Sequence, residues 1–125
     1  MIFDSDVLIH IQRGHPKAAA LFNRQDEYFI SVQTYLELMQ NALNKEHLLK
    51  TKKLLLEYDI QVLPLTGNIG HRAMIYVDQY GLSHGLEAGD ALIAATAVEN
   101  DMLLASGNYK HFKAIKELKL VVFKP

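Results

Sequence analysis

The chain has no cysteine, which excludes a disulfide framework and any thiolate metal site. It has almost no net charge. Lys and Arg number 13 and Asp and Glu 14, so composition gives no general attraction for a polyanion, and any such attraction needs a local patch. No apolar run approaches the roughly 20 residues that span a bilayer. No basic stretch leads into a leader-like apolar segment, so a cytoplasmic protein is the expectation. HExxH, GxSxG, GxGxxG and P-loop patterns are all missing. The six histidines show no ligand spacing, and His84 and His111 stand near candidate site loops with nothing to raise them above the rest. Repeats, low-complexity tracts and linkers are absent too.

What is present reads as one globular domain over residues 1–125, half apolar and 22% charged. Short strand-like runs alternate with helical ones. Strands are expected at Met1–Phe3, Tyr28–Ile30, Gln61–Leu65, Met102–Ala105 and Leu120–Phe123. Helices are expected at Asp6–Gln12, from Pro16 through Phe22, after a Ser31 cap, and at Glu46–Tyr58, Asn68–Tyr80, Asp90–Asn100 and His111–Leu118. In the helix after Ser31, Val32, Tyr35, Leu36, Met39 and Leu43 form the expected apolar stripe. Gly81–Gly89 reads as a loop. Alternation of this kind predicts an α/β fold, a mainly parallel sheet covered by helices. Ligands of such sheets bind beyond the carboxyl ends of the strands. Asp4 and the Ser106-Gly107-Asn108 turn both fall there.

The chemistry concentrates in a few acids. MIFDSDVLIH sets Asp4 and Asp6 between apolar runs, where adjacent carboxylates repel unless a cation or donor lies between them. Oxygen ligands of this kind suit a hard divalent ion. Asp6 also reads as a cap for the helix that follows it. The segment Ala91–Val98 carries no charge and reads as a buried helix opened by Asp90, which an N-cap role explains equally well. Glu37 lies off the apolar stripe of its helix. A solvated face accounts for it, yet its helical neighbours Gln33, Gln40, Asn41 and Asn44 are neutral amides, as a polar cleft would have. Lysines cluster twice, at Lys50, Lys52 and Lys53 and from Lys110 through Lys113, Lys116 and Lys119. Such runs usually serve solubility, but the second begins beside the proposed site.

Taken in order, DSDVLIHIQRG, TYLELMQ, GDALIAATA and ASGNYKHFKAI resemble the landmarks of PIN-domain proteins, and most nearly the VapC-type toxins of toxin–antitoxin pairs. The likeness spans nearly the whole chain and implies an α/β/α sandwich with endoribonuclease activity that depends on Mg²⁺ or Mn²⁺. It implies metal-holding roles for Asp4, Glu37 and Asp90. Asn108 stands, as an amide, where many PIN nucleases carry a fourth acid. Ser5 and Asp6 match the variable pair after the first acid, which more often supports than ligates, and Ser106 matches a supporting Ser or Thr. Lys110 and Lys113 become candidate RNA contacts. The implied partners are an RNA substrate, a cognate antitoxin and a second copy of the chain in a homodimer, with the Leu48–Leu56 and Val7–Ile11 helices as candidate contact faces. Two rivals remain open. One is a PIN-like module that binds RNA or protein without cutting. The other is a phosphohydrolase in which Asp4 is the nucleophile, although its second acid is followed by Val7 and no late Asp-Asp pair appears.

Overall fold

A computed structural model describes residues 1–125. The elements run β1 (Ile2–Phe3), α1 (Ser5–Gln12), α2 (Pro16–Asn23), β2 (Phe29–Ser31), α3 (Val32–Gln40), α4 (Lys45–Glu57), β3 (Gln61–Leu63), α5 (Gly67–His84), α6 (Ala88–Glu99), β4 (Leu104–Ser106), α7 (Tyr109–Phe112) and β5 (Leu120–Val122). Successive strand residues point to opposite faces of a sheet, and two residues per strand suffice to feed two cores. Ile2 and Leu104 face α5, α6 and the Phe112–Leu118 segment. Phe3, Ile30 and Ala105 face α1, α2 and α4. The five strands form one sheet, β3-β2-β1-β4-β5, with every neighbouring pair parallel. The expected α/β/α sandwich is the observed architecture.

The strand order also locates the site. From β1 the chain steps outward through β2 and β3, then crosses back to build β4 and β5 on the other side. The sheet therefore reverses direction between β1 and β4, and a crevice opens where their carboxyl ends diverge. Helix α6 runs beside this crevice. Its Ala91, Ile93, Ala94, Ala95 and Ala97 are all buried, and these mostly small side chains let α5 pack along it.

Several expected boundaries move, each for a physical reason. Helix α1 begins at Ser5, not Asp6, because Asp4 caps it by accepting from the Ser5 N–H. Helix α5 does not stop before Gly81 but continues to His84. Gly85, at φ 66°, supplies the left-handed cap that ends it. Gly81 stays helical, and a Cβ there would make only ordinary contacts, 3.4 Å from Val77 Cγ1 and 3.8 Å from the Leu86 carbonyl oxygen. Helix α6 starts at Ala88, with Glu87 at the cap position, so Asp90 lies in the first turn and is not the cap. The expected His111–Leu118 helix is only Tyr109–Phe112. Beyond it Ile115 N–H donates to the Phe112 carbonyl and Leu118 N–H to the Ile115 carbonyl, so three-residue turns bury the same apolar side chains.

The apolar stripe assigned to α3 holds in part: Tyr35 and Met39 pack half-buried against the core, but Leu36 and Leu43 do not. The buried face carries Thr34 and Leu38, while Leu36 is 52% exposed and Leu43 lies beyond the helix end. Thr34 tolerates burial because Ser31 Oγ accepts from its N–H at 2.9 Å and donates to its hydroxyl at 3.1 Å. Helix α3 is thereby wedged against both α1 and α6, and this brings Glu37 to the crevice.

Candidate metal centre

Asp4 is fixed by the end of β1 and the start of α1. Its Oδ1 accepts from the Ser5 N–H at 2.7 Å, and its Oδ2 from the Ser106 hydroxyl at 2.7 Å. Ser106 is fully buried, and its oxygen in turn accepts from the Asn108 N–H at 3.0 Å. The end of β4 thus fixes the rotamer of an acid on β1. Burial, then repulsion from Asp6 and Glu37, pushes the Asp4 carboxyl up to about 6 against these bonds.

Asp6 ties the same two strand ends together from the other side. Its Oδ1 accepts from the Val7 N–H at 2.7 Å and its Oδ2 from the Gly107 N–H at 2.8 Å. Burial raises its carboxyl while these bonds oppose the rise. Gly107 is needed here for close approach, since a Cβ would stand 2.7 Å from Asp6 Oδ2.

Glu37 and Asp90 complete the acidic edge. Glu37 accepts long bonds, 3.4 Å from Gln33 Nε2 and 3.4 Å from the Ser5 hydroxyl, which also reaches Asp4 at 3.4 Å. Burial raises its carboxyl and the charge of Asp90 adds to the effect, with the Gln33 bond opposing. Asp90, 15% exposed, meets His111 Nδ1 at 2.9 Å. The same ring nitrogen lies 2.9 Å from Asn108 Nδ2. The structure therefore brings Asp4, Ser5, Asp6, Glu37, Asp90, Ser106 and Asn108 to one edge. It adds His111, which the sequence offered no reason to single out from the other histidines. A ring three residues beyond Asn108, presented by a one-turn helix, is a relation that only the fold makes visible.

No lysine or arginine pairs with any of these four acids. Unneutralised carboxylates in poor solvation repel one another. Accordingly, no three His, Asp or Glu side chains are drawn together tightly enough here to hold an ion. The donor set nevertheless fits a hard divalent cation: all oxygen, partly desolvated, held by side-chain and backbone donors, and lacking a counter-charge.

Lys110 and Lys113 lie exposed on and just after α7, with Lys113 Nζ 5.9 Å from the Tyr109 ring centroid and neither in contact with the acids. Lys50 and Lys53 form exposed pairs with Glu46 and Glu57 along α4, as a solvated face does. Of the two candidate contact faces, Val7 and Leu8 turn into the core. Ile9, Ile11, Leu43, Leu54 and Tyr58 instead line a groove of about 700 Å³ between α1 and α4. No helix is long and apolar enough to cross a membrane.

Comparison with known proteins matches this geometry to one family. The PIN domain model covers residues 1–118. Ribonuclease VapC10 of Mycobacterium tuberculosis is 36% identical over 123 residues, spanning 95% of this chain and 90% of its own. VapBC-1 from nontypeable Haemophilus influenzae superposes with a TM-score of 0.79 at 26% identity, covering 98% of both chains. A toxin–antitoxin complex from Klebsiella pneumoniae gives a TM-score of 0.81 at 24% identity over 97% of this chain and 95% of its own. The family match runs from before Asp4 to past His111, so it takes in every acid at the reversal point of the sheet, and the chain belongs to the PIN-domain family.

Proposed function

We propose that this chain is a divalent-metal-dependent endoribonuclease, the toxin member of a VapBC-type pair. The observation that carries the reading is the gathering of Asp4, Glu37 and Asp90, without a cationic side chain from Lys or Arg, at the point where the sheet reverses. Kinship with a ribonuclease at 36% identity supplies the substrate class.

Asp4, Glu37 and Asp90 would hold Mg²⁺ or Mn²⁺, with Asn108 at the rim. The ion supplies an acidified water and offsets charge that develops on the phosphate. The chain's own groups do the rest. Ser106 and the Ser5 N–H lock Asp4 in one rotamer, which avoids reorganisation during the reaction. Asp6 joins the β1 and β4 ends so that Asn108 keeps its distance from Asp4. Glu37, with only long bonds, is the least committed carboxylate and orients the attacking water. Lys110 and Lys113 meet the RNA backbone beside the site and offset the low net charge.

The neighbours named as toxin–antitoxin complexes support a protein partner for this chain as well. The groove between α1 and α4 has an apolar floor, with Arg13 at its rim and Lys50 and Lys53 paired to Glu46 and Glu57, which suits an antitoxin segment with an apolar face. A homodimer is proposed too, with exposed Met74 and Val77 on α5 as apolar surface for it.

The test is incubation of purified chain, free of antitoxin, with total cellular RNA and Mg²⁺ or Mn²⁺, beside reactions containing EDTA or Asp90→Asn. Discrete fragments absent from both controls are expected. Cleavage by Asp90→Asn with an unchanged circular dichroism spectrum would remove Asp90 from the site.

A further inference from the structure

The four acids at the sheet edge are not held alike. Asp4 accepts from the Ser5 N–H and hydroxyl and from Ser106. Asp6 accepts from two backbone N–H groups, and Glu37 from Gln33 and Ser5. Asp90 has one partner, and it comes from a different element: His111 Nδ1 at 2.9 Å. No cap bond fixes Asp90, because the cap position of α6 belongs to Glu87 and the carboxylate sits in the first turn. The orientation of this acid therefore rests on a single ring.

That ring is itself well placed. Phe112, next to it, is 1% exposed and plugs into the core with Ile115, which fixes the register of the short α7. The Asn108 side chain touches the same nitrogen at 2.9 Å. An ionised carboxylate offers only lone pairs, so the tautomer that serves Asp90 carries hydrogen on Nδ1. Turned by half a rotation, the Asn108 amide presents its oxygen to that same hydrogen. An outer-shell donor on one carboxylate oxygen orients the whole group toward an ion, and a ring N–H on Oδ2 provides that tie.

We propose that His111 is the positioning residue of Asp90: its Nδ1–H holds one carboxylate oxygen and aims the other at the metal position, coupling the fourth-acid position at Asn108 to the same atom. The inference rests on the metal-site reading above and goes beyond it, since it gives His111 a role behind the metal-holding acids.

The test compares Mn²⁺ binding to the RNA-free full-length chain by calorimetry for the native protein and three variants, each checked by circular dichroism. His111→Ala removes the tie, and a loss of about 10- to 100-fold in Mn²⁺ affinity is expected, the range typical of lost outer-shell partners. His111→Asn places an amide N–H where Nδ1–H was, and should bind within about 3-fold of native. His111→Gln places its amide where Nε2 was, and should behave like alanine. The Asn–Gln contrast stays readable even if the alanine variant folds poorly. In RNA cleavage, the His111→Ala rate should recover as Mn²⁺ is raised. Equal Mn²⁺ affinity for the Asn and Gln variants, or native or tighter binding by His111→Ala, would overturn the inference and leave a mere pin between α7 and α6. Absence of Mn²⁺ binding by the native chain would instead overturn the metal-site reading, and this inference with it. Native Mn²⁺ binding without RNA cleavage would sink only the nuclease reading, and the variant affinities would still decide the role of His111.

Discussion

A buried acid destabilises the fold that carries it, and Asp4→Asn measures by how much. Burial and the nearby acids move the Asp4 carboxyl from 3.8 to about 6. Each tenfold change in proton affinity corresponds to about 1.4 kcal/mol, so ionised Asp4 weakens the metal-free fold by about 3 kcal/mol. The sign follows from linkage: the folded state binds this proton more tightly than the unfolded chain, so stability falls as pH rises from about 4 to about 6 and then levels off. Asparagine carries no charge and keeps an oxygen for the Ser5 N–H. Its amide N–H can donate to Ser106 Oγ. The Ser106 hydroxyl then loses its acceptor, and its oxygen must serve both the new amide and the Asn108 N–H, which costs about 1–2 kcal/mol. In EDTA at pH 7.5 the variant should therefore be more stable than native by about 1–2 kcal/mol, which for a chain of this size raises the melting temperature by about 4–8 °C. Below about pH 4, where Asp4 is protonated in the folded and unfolded chain alike, the gain should be gone and only that cost should remain. Mn²⁺ at 100 times its Kd should stabilise the native chain by about 2.7 kcal/mol and reverse the order. The assay is thermal and urea unfolding across pH, with EDTA or Mn²⁺. If Asp4→Asn melts at or below native in EDTA at pH 7.5, the burial argument for this acid is wrong.

Three further outcomes follow from single contacts. Gly107→Ala puts a Cβ 2.7 Å from Asp6 Oδ2 and 3.1 Å from the Phe123 carbonyl oxygen. It should cost about 1–3 kcal/mol by urea unfolding and slow cleavage, because the same turn carries Asn108. Ser106→Ala leaves Asp4 Oδ2 without its buried donor and the Asn108 N–H without its acceptor; a loss of about 1–3 kcal/mol is expected, and an unchanged midpoint would mean the two groups find other partners. Lys110→Ala with Lys113→Ala should weaken RNA binding, measured in EDTA in the Asp90→Asn background expected not to cleave. The slope of log affinity against log salt should fall by about 1.4, at about 0.7 per phosphate contact. An unchanged slope would place the RNA elsewhere.

How much of this was legible beforehand depended on the range of the interaction. Strand–helix alternation is local, so the parallel sheet and its carboxyl edge could be read directly, and Ser31 was readable as a cap because its partner Thr34 lies three residues away. Boundaries governed by contacts across the fold were misread. Gly81 looks like a helix stop, but it stays helical, and Gly85 in the left-handed conformation ends the helix. Leu36 and Leu43 look like core, while Thr34 goes in, because a hydroxyl from Ser31 satisfies it.

The same division decides what could be known of the site. Cap preference made Asp90 ambiguous in the sequence, and the ambiguity ends only when α6 is seen to begin at Ala88, two residues before the acid. A carboxylate released from capping has to be held by something else, and its one holder is His111, 21 residues away. Glu37 follows the same logic: surrounded by amides in sequence, it reaches the acidic edge only when α3 is wedged between α1 and α6. Periodicity and spacing identify acids that are unusual for their surroundings. Whether an acid is held, and by which atom, depends on pairs such as Ser106 with Asp4, 102 residues apart, and those pairs exist only once the sheet has set the β1 and β4 ends side by side.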